Sequence, residues 1–356
     1  VVAVPGAYFL AHYDLPGRAG FLTAATLATV SPPFLGAYAW VLLAGRGGIL
    51  TSWARSVGLP LPFETIIGPQ GIIWVTIWGT QALVFLIAHD AFRAQDPALE
   101  EAALSVGSSP MRTRLRILLP LALPAIVTGL YMSSMKIFAD FGTPLLIGGG
   151  LPMLPTTVYF EFLSEVATNP AIASAASLVM LAIALVVLGV QQWVLKRRSY
   201  SSVSSRQRGF RPVSGLPKAL MIGYLWLIFV ISFVPHGVVL LTSFLTWRVG
   251  ILKWVPTLDN YVKMVANEWQ TVFLSIGLAL IGCFLCVLVA LLVSYIVVRK
   301  RYRFLAPALN GMVMIPYIIP GTVLAIGLIM TFSSGPIVLT GTAAIIVLVY
   351  FVQRLP

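Results

Sequence analysis

The stretch "EEAALSVGSSPMRTRLRILLP", residues 100–120, decides how the rest of the chain is read. Long runs of Leu, Ile, Val and Phe surround it, yet it holds two Glu, three Arg, one Gly and two Pro. Just upstream, Asp96-Pro97 is a helix start, because Asp caps free amides and Pro suits the first helical position. "ALEEAALSV" (98–106) consists mainly of good helix formers. Gly107 then ends the helix, since glycine tolerates the left-handed conformation of a C-terminal cap. Ser109-Pro110 repeats the start signal, and a second helix over "MRTRLRILL" (111–119) leads through Pro120 and Pro124 into the next apolar run. Leu99, Ala102, Ala103 and Val106, at spacings of three and four, give the first helix a small apolar stripe. Glu100 and Glu101 beside it offer charge to the same partner. Such a helix suits a groove on another protein; the plainer alternative is a solvated loop with ordinary caps.

Working outward, the chain of 356 residues is 59% hydrophobic and 10% charged, where a soluble domain carries about 25% charged residues. Its mean hydropathy is +0.95. Water does not cover that much apolar surface, so the expected solvent is a lipid bilayer. Unpaired backbone groups are excluded there, and non-alternating runs of about 20 residues are helices rather than barrel strands. The expected fold class is all-α, a polytopic transmembrane helical bundle. The net charge of +12 does not point to nucleic acid, because the Lys and Arg sit in short segments between apolar spans. A partial span is expected over 1–13, and full spans near 20–44, 71–92, 121–139, 170–195, 219–245, 270–298, 305–331 and 336–352.

The basic residues set the orientation. The Ser-rich stretch 196–218 holds seven Lys and Arg, among them Lys196, Arg197 and Arg198, and "RKRYR" (299–303) holds four. Arg112, Arg114 and Arg116 lie in the opening stretch, whereas 140–169 has no Lys or Arg, only Asp140, Glu161 and Glu165. The positive-inside rule therefore places 97–120, 196–218 and 299–303 in the cytoplasm, and every span then alternates without conflict. A weak repeat accompanies this: Tyr8 and Tyr295 stand at one offset, and Pro33 and Pro320 at the same one. Two similar halves joined by a linker fit a parallel repeat in a transporter, against coincidence among apolar segments.

The opening stretch resembles the EAA motif of permease subunits of binding-protein-dependent ABC importers. Glu101-Ala102-Ala103, Gly107, Ile117 and Leu119-Pro120 reproduce that motif without a departure in spacing. "VPTLDNYVKM" (255–264) is similar to a segment that precedes the core spans of such permeases, and "YFVQRLP" (350–356) to the sequence before a second EAA segment. The whole is most similar to fused double permeases for ferric iron; related ones handle thiamine, 2-aminoethylphosphonate or polyamine. The resemblance implies a type I importer fold with 1–195 as a first half carrying its coupling loop at 97–120. It implies a cytoplasmic linker at 196–218 and a second half at 219–356, truncated before its own EAA loop. Both halves would be incomplete, and the chain reads as an internal piece of a longer protein. The implied partners are cytoplasmic ABC ATPase subunits, expected as a homodimer, and a periplasmic or lipoprotein substrate-binding protein. The implied role of 97–117 is to carry nucleotide-driven motion into the spans.

The residues themselves exclude several classes. No GxxxxGK[ST] occurs, so ATP hydrolysis is expected on a separate subunit; "GRGG" (45–48) and "GGG" (148–150) read as loop glycines. Cys283 and Cys286, inside one span, lack the further ligands that zinc requires and read as packing residues. No Ser-His-Asp or clustered Cys/His arrangement supports an enzyme, and no cofactor or resident metal is expected. Charges near span ends are pathway suspects. Lys136 and Asp140, four apart, are expected on one helix face at the outer end of their span, lining the path or forming a structural pair. Glu161 and Glu165 would touch a hard cation, a binding protein or only water. His89 and His236 are expected to be hydrogen-bonded within the bundle. Ala125, Gly129 and Ser133 form a small-residue face for close helix packing. The competing class is an ion-coupled secondary transporter, which calls for ionisable residues or broken helices at mid-membrane in both halves.

Overall fold

In hydrocarbon each segment pairs its own N–H and C=O groups best as a helix, and the described residues are mostly helical. A computed structural model describes residues 2–59, 65–163, 169–197, 209–248, 251–300, 302 and 304–355. In order come α1 (Ala3–His12), α2 (Arg18–Val30), α3 (Pro33–Ala44), α4 (Ile49–Ser56), α5 (Pro69–Arg93), α6 (Pro97–Ser105) and α7 (Pro110–Thr113). A π-helical turn, Arg114–Leu118, joins α7 to α8 (Leu119–Phe138). Then follow α9 (Gly142–Ile147), α10 (Leu154–Leu163), α11 (Pro170–Arg197), α12 (Gly215–Ser243), the strands β1 (Leu245–Arg248) and β2 (Ile251–Pro256), and α13 (Asp259–Ser294). A second π-helical turn (Tyr295–Lys300), α14 (Leu305–Ile318), α15 (Gly321–Thr331) and α16 (Ala343–Arg354) complete the described chain. Six helical stretches among the described residues are long and apolar enough to cross a membrane: Phe34–Ser56, Pro69–Arg93, Pro110–Phe138, Ala171–Val194, Gly215–Ser243 and Asp259–Lys300.

Three expected spans are drawn differently. The run 20–44 is broken at Ser31-Pro32, both extended, into α2 and α3. Proline lacks the N–H a helix needs and pushes its predecessor out of the α region, and two prolines stand here in succession. The run 305–331 breaks for the same reason at Ile319-Pro320. The run 336–352 becomes helical only from Ala343, after turns at Gly335 and Gly341 with positive φ. The antiparallel hairpin β1–β2, pairing Thr246 with Lys253 and Trp247 with Leu252, is an element that apolar length does not reveal. Asn260 holds it: its Nδ2 donates to the carbonyls of Ser243 and Leu245, each at 2.9 Å.

The chain divides into two compact units, Val1–Leu151 with Val187–Leu240, and Pro152–Val186 with Leu241–Pro356. In the first, α5 is central and packs against α1, α2 and α8. Leu10, Phe21, Phe85, Phe92, Leu225 and Phe229 form its main core. On α8, Ala122, Ile126, Gly129 and Ser133 are buried, with Gly129 beside Ile87 of α5. Two of the three expected small residues thus face inward, and Ala122 replaces Ala125 as the third. Gly36 of α3 similarly lets the Trp78 ring lie against its backbone.

A polar junction sits where α12 carries Pro235 in its interior. That proline cannot donate to the carbonyl of Ile231, and the Trp78 indole N–H donates there instead at 3.2 Å, shared with Ser232 O at 3.2 Å. Gln81 Nε2 donates to Ser232 Oγ at 2.7 Å. His236 Nε2 lies 2.6 Å from Ser31 Oγ, at the break between α2 and α3. His236 is therefore hydrogen-bonded within the bundle, as expected. In the second unit α13 packs against α16. Both cysteines are free; Cys286 is buried with Sγ 3.4 Å from Phe351 O, while Cys283 is exposed.

Candidate functional site

The segment 97–120 is built from its caps. The Ala98 N–H donates to Asp96 Oδ1 at 2.9 Å, with Pro97 as the first helical residue. At the other end Gly107 has φ +83°. Its N–H donates to Leu104 O, and that of Ser108 to Ala103 O, each at 3.0 Å. These are the two backbone bonds of a Schellman stop. Ser109 Oγ then accepts from Arg112 N–H at 3.4 Å, with Pro110 beginning α7. Helix, glycine turn and second helix thus stand where local residue chemistry predicts them.

The second helix leads through Pro120 and Pro124 into the next span, as the sequence suggests. No break occurs at Pro120; α7, the π turn and α8 form one helical stretch from Pro110 to Phe138. The Leu119 N–H reaches back to Arg114 O. A proline ring crowds the carbonyl four residues earlier, and widening the preceding turn relieves that contact while keeping the rod continuous. At ~1.5 Å per residue the stretch is roughly 43 Å long, longer than a hydrocarbon core of ~30 Å. The rod is therefore longer than crossing the hydrocarbon core requires. Gln95, buried at the end of α5, donates through Nε2 to Leu118 O at 2.7 Å and ties α5 to the π turn.

The side chains of α6 and its C-cap residue Val106 divide into two faces. Glu101, Ala102, Leu99 and Val106 are exposed, Val106 by 85%. Ala103 is buried, and so is Glu100, with 3% of its surface exposed. Two expectations are corrected here. Ala103 does not belong to the outward stripe, and Glu100 does not offer its charge to an outside partner. Glu100 Oε1 lies 2.9 Å from Arg211 Nη1, a residue that follows the described end of α11. A buried carboxylate needs such a counter-charge. Ile117, Leu119 and Pro120 are half-buried, as is Arg114, whose Nη2 donates to Tyr13 OH at 2.7 Å.

Two ends of the first unit can be told apart. At one, the Asp14 N–H donates to Arg211 O, close to Tyr13, Arg114 and α6. At the other, the Ile66 N–H donates to Ala44 O at 2.9 Å and the Gly68 N–H to Ile147 O at 2.7 Å. Lys136 is exposed near the end of α8. Asp140 lies past that end, and its Oδ1 accepts from Gly142 N–H (3.0 Å) and Thr143 N–H (3.3 Å). Lys136 and Asp140 do not share a helix face, because α8 stops at Phe138 and Asp140 caps α9. His89 Nδ1 pairs with Asp90 Oδ1 at 2.9 Å. Glu161 lies on α10 in the second unit. Glu165 and Arg198 fall outside the described residues, as do the side chains of Lys196 and Arg197. Sequence reasoning missed Gln95 and Arg211, which fix the site from outside it. Arg211 carries no local signal, whereas Gln95, a polar residue beside the cap, was a visible one.

The pattern of the family described as "Binding-protein-dependent transport system inner membrane component" matches residues 3–200. The ferric transport system permease protein FbpB of Actinobacillus pleuropneumoniae is 29% identical over 343 residues, 93% of this chain and 48% of that protein. The Fe(3+)-transport system permease protein FbpB 2 of Haemophilus influenzae is 26% identical over 353 residues, 98% of this chain and 63% of that protein. The molybdenum transport system permease protein ModB of Mycobacterium tuberculosis is 27% identical over 165 residues, 46% of this chain and 61% of its own length. The chain spans about half the length of the first-named of these curated relatives.

Proposed function

Because the chain belongs to the family of binding-protein-dependent transport system inner membrane components, we propose that it forms the permease path of an ATP-driven importer, with 97–120 as its coupling segment. The family is one of inner-membrane transport components, not of catalysts. The observation that carries the reading is the capped helix α6, with Glu101, Ala102, Leu99 and Val106 facing outward from an end of the bundle. Apolar side chains held together on a polar face mark a contact with another protein. A cytoplasmic ATPase dimer fits that contact. Its two nucleotide states would hold α6 in two positions, and the rod Pro110–Phe138 would carry the difference across the membrane. A periplasmic or lipid-anchored binding protein would deliver the substrate on the other side.

Ferric iron is the proposed substrate, supported by relatives whose names carry it and which align with more than nine-tenths of this chain. Two halves, 1–195 and 219–356 joined by 196–218, belong to the same reading. It is supported by helices that begin 287 residues apart, at Arg18 and Leu305, and that both break before a further apolar helix. Lys136, at the end of α8, is kept as a path residue.

The test is reconstitution of the full permease with its ATPase and binding protein, supplied with ferric iron, thiamine, 2-aminoethylphosphonate or a polyamine. Uptake of iron that requires ATP is expected. Glu101→Lys and Gly107→Val should abolish it while the protein stays in the membrane. Transport that survives both substitutions removes the docking reading. Uptake driven by an ion gradient without the ATPase favours a secondary transporter instead.

A further inference from the structure

α6 is a helix of nine residues that packs onto α7 and the π turn, its own downstream segment. So short a helix has little stability alone, and a force applied to it would be absorbed at the Gly107 turn unless something else holds it to the bundle. The segment between α11 and α12 supplies that hold. Gly209, Phe210 and Arg211 return to the same end of the first unit. Arg211 is fixed by its backbone: its N–H donates to His12 O, and its carbonyl accepts from Asp14 N–H, each at 2.9 Å. Its guanidinium meets the buried Glu100 of α6 at 2.9 Å. The neighbouring Phe210 ring lies against the guanidinium groups of Arg18, at the start of α2, and Arg93, at the end of α5, with centroid distances of 3.8 and 4.3 Å. Cation–π contact of this kind favours arginine over the ring face. One dipeptide therefore touches α6, the α1–α2 turn, α2 and α5 at once.

We propose that Phe210-Arg211 is a clasp, a pair of positioning residues that join the coupling helix to the membrane-crossing bundle. The clasp passes displacement of α6 to α2 and α5 instead of letting it dissipate at Gly107. This gives the segment joining the two apolar stretches of the chain a role in transmission beyond that of a tether. It rests on the reading of α6 as the ATPase contact. The burial of Glu100 is its signature, since a carboxylate meant for a partner protein would face outward as Glu101 does.

The experiment uses the full permease with its ATPase and iron-loaded binding protein in proteoliposomes. It measures iron moved per ATP hydrolysed and the amount of ATPase co-purified. Arg211→Glu and Glu100→Arg should each lower iron moved per ATP by roughly twofold to thirtyfold, the range over which residues between two sites alter their coupling. The ATPase should still co-purify. The double exchange should restore most of the ratio, and Arg211→Lys should lose little. Phe210→Ala, a change at a half-exposed ring, should lower the ratio without loss of protein, and it decides the matter where a charge reversal fails to fold. A wild-type ratio in Phe210→Ala and Arg211→Glu, or a double exchange no better than the single ones, overturns the clasp. Glu101→Lys separates the two ideas. If it uncouples transport while the clasp variants do not, only the clasp falls; if it also leaves coupling intact, the docking reading falls with it.

Discussion

Asp96 shows how much a single residue contributes to the site. Its Oδ1 accepts one of the free amides at the start of α6, and loss of such a cap costs about 1 kcal/mol. For a helix of nine residues that is enough to fray the first turn. Asp96→Ala should speed amide hydrogen exchange across 98–101, whereas Asp96→Ser should leave it near the original rate; equal protection in all three proteins would show that the cap is idle. The caps at Asp96, Gly107 and Ser109 are legible in the sequence because each acts on amides or carbonyls within a few positions of itself. The direction of Glu100 is not legible. It depends on Arg211, brought to it by the fold, and adjacent glutamates carry no local mark of which one faces inward. The same holds for Asp140, whose spacing from Lys136 suggests a shared helix face that the chain abandons to cap α9.

Prolines act on these helices in two ways: the chain breaks at Pro32 and Pro320, and it stays helical through Pro120, Pro124 and Pro235. Apolar length alone shows where a span lies, and it merged α2 with α3 and α14 with α15, because hydropathy is blind to a missing N–H. The hairpin β1–β2 was hidden for a related reason: its strands are too short and mixed to stand out between two long apolar helices. At Pro235 the repair is explicit, since the Trp78 indole takes the Ile231 carbonyl that the proline leaves unpaired. Trp78→Phe should therefore destabilise the detergent-solubilised protein by about 0.5–2 kcal/mol, the scale of hydrogen bonds between membrane helices and of an acceptor left bare. Pro235→Ala supplies a backbone N–H to the same carbonyl, so Trp78→Phe should cost less in that background. Thermal unfolding of the four proteins gives the coupling directly. Strict additivity would mean that the two groups do not share the carbonyl.

At the scale of the whole molecule, sidedness ties charge to architecture. The end of α3, the start of α5 and the end of α9 meet through Ile66 with Ala44 and Gly68 with Ile147, while the segments carrying Arg114 and Arg211 meet around Tyr13 and Glu100. The charge contrast between the two ends rests on the stretch 140–169, which has no Lys or Arg, since the loop between α3 and α5 carries Arg46 and Arg55. The positive-inside rule assigns the arginine-bearing end to the cytoplasm. A cysteine-free background that includes Cys283→Ser and Cys286→Ser, expressed without the proposed ATPase, allows a direct test by single added cysteines. Ser105→Cys on α6 and Leu151→Cys beyond α9 both stand on exposed positions. A membrane-impermeant maleimide should label Leu151→Cys in right-side-out vesicles and Ser105→Cys only in inverted ones. The reverse pattern would put α6 on the side where no ATP-hydrolysing partner can reach it. Since every coupling step argued for this chain begins with a force on α6 from the cytoplasm, that outcome would remove docking and clasp together.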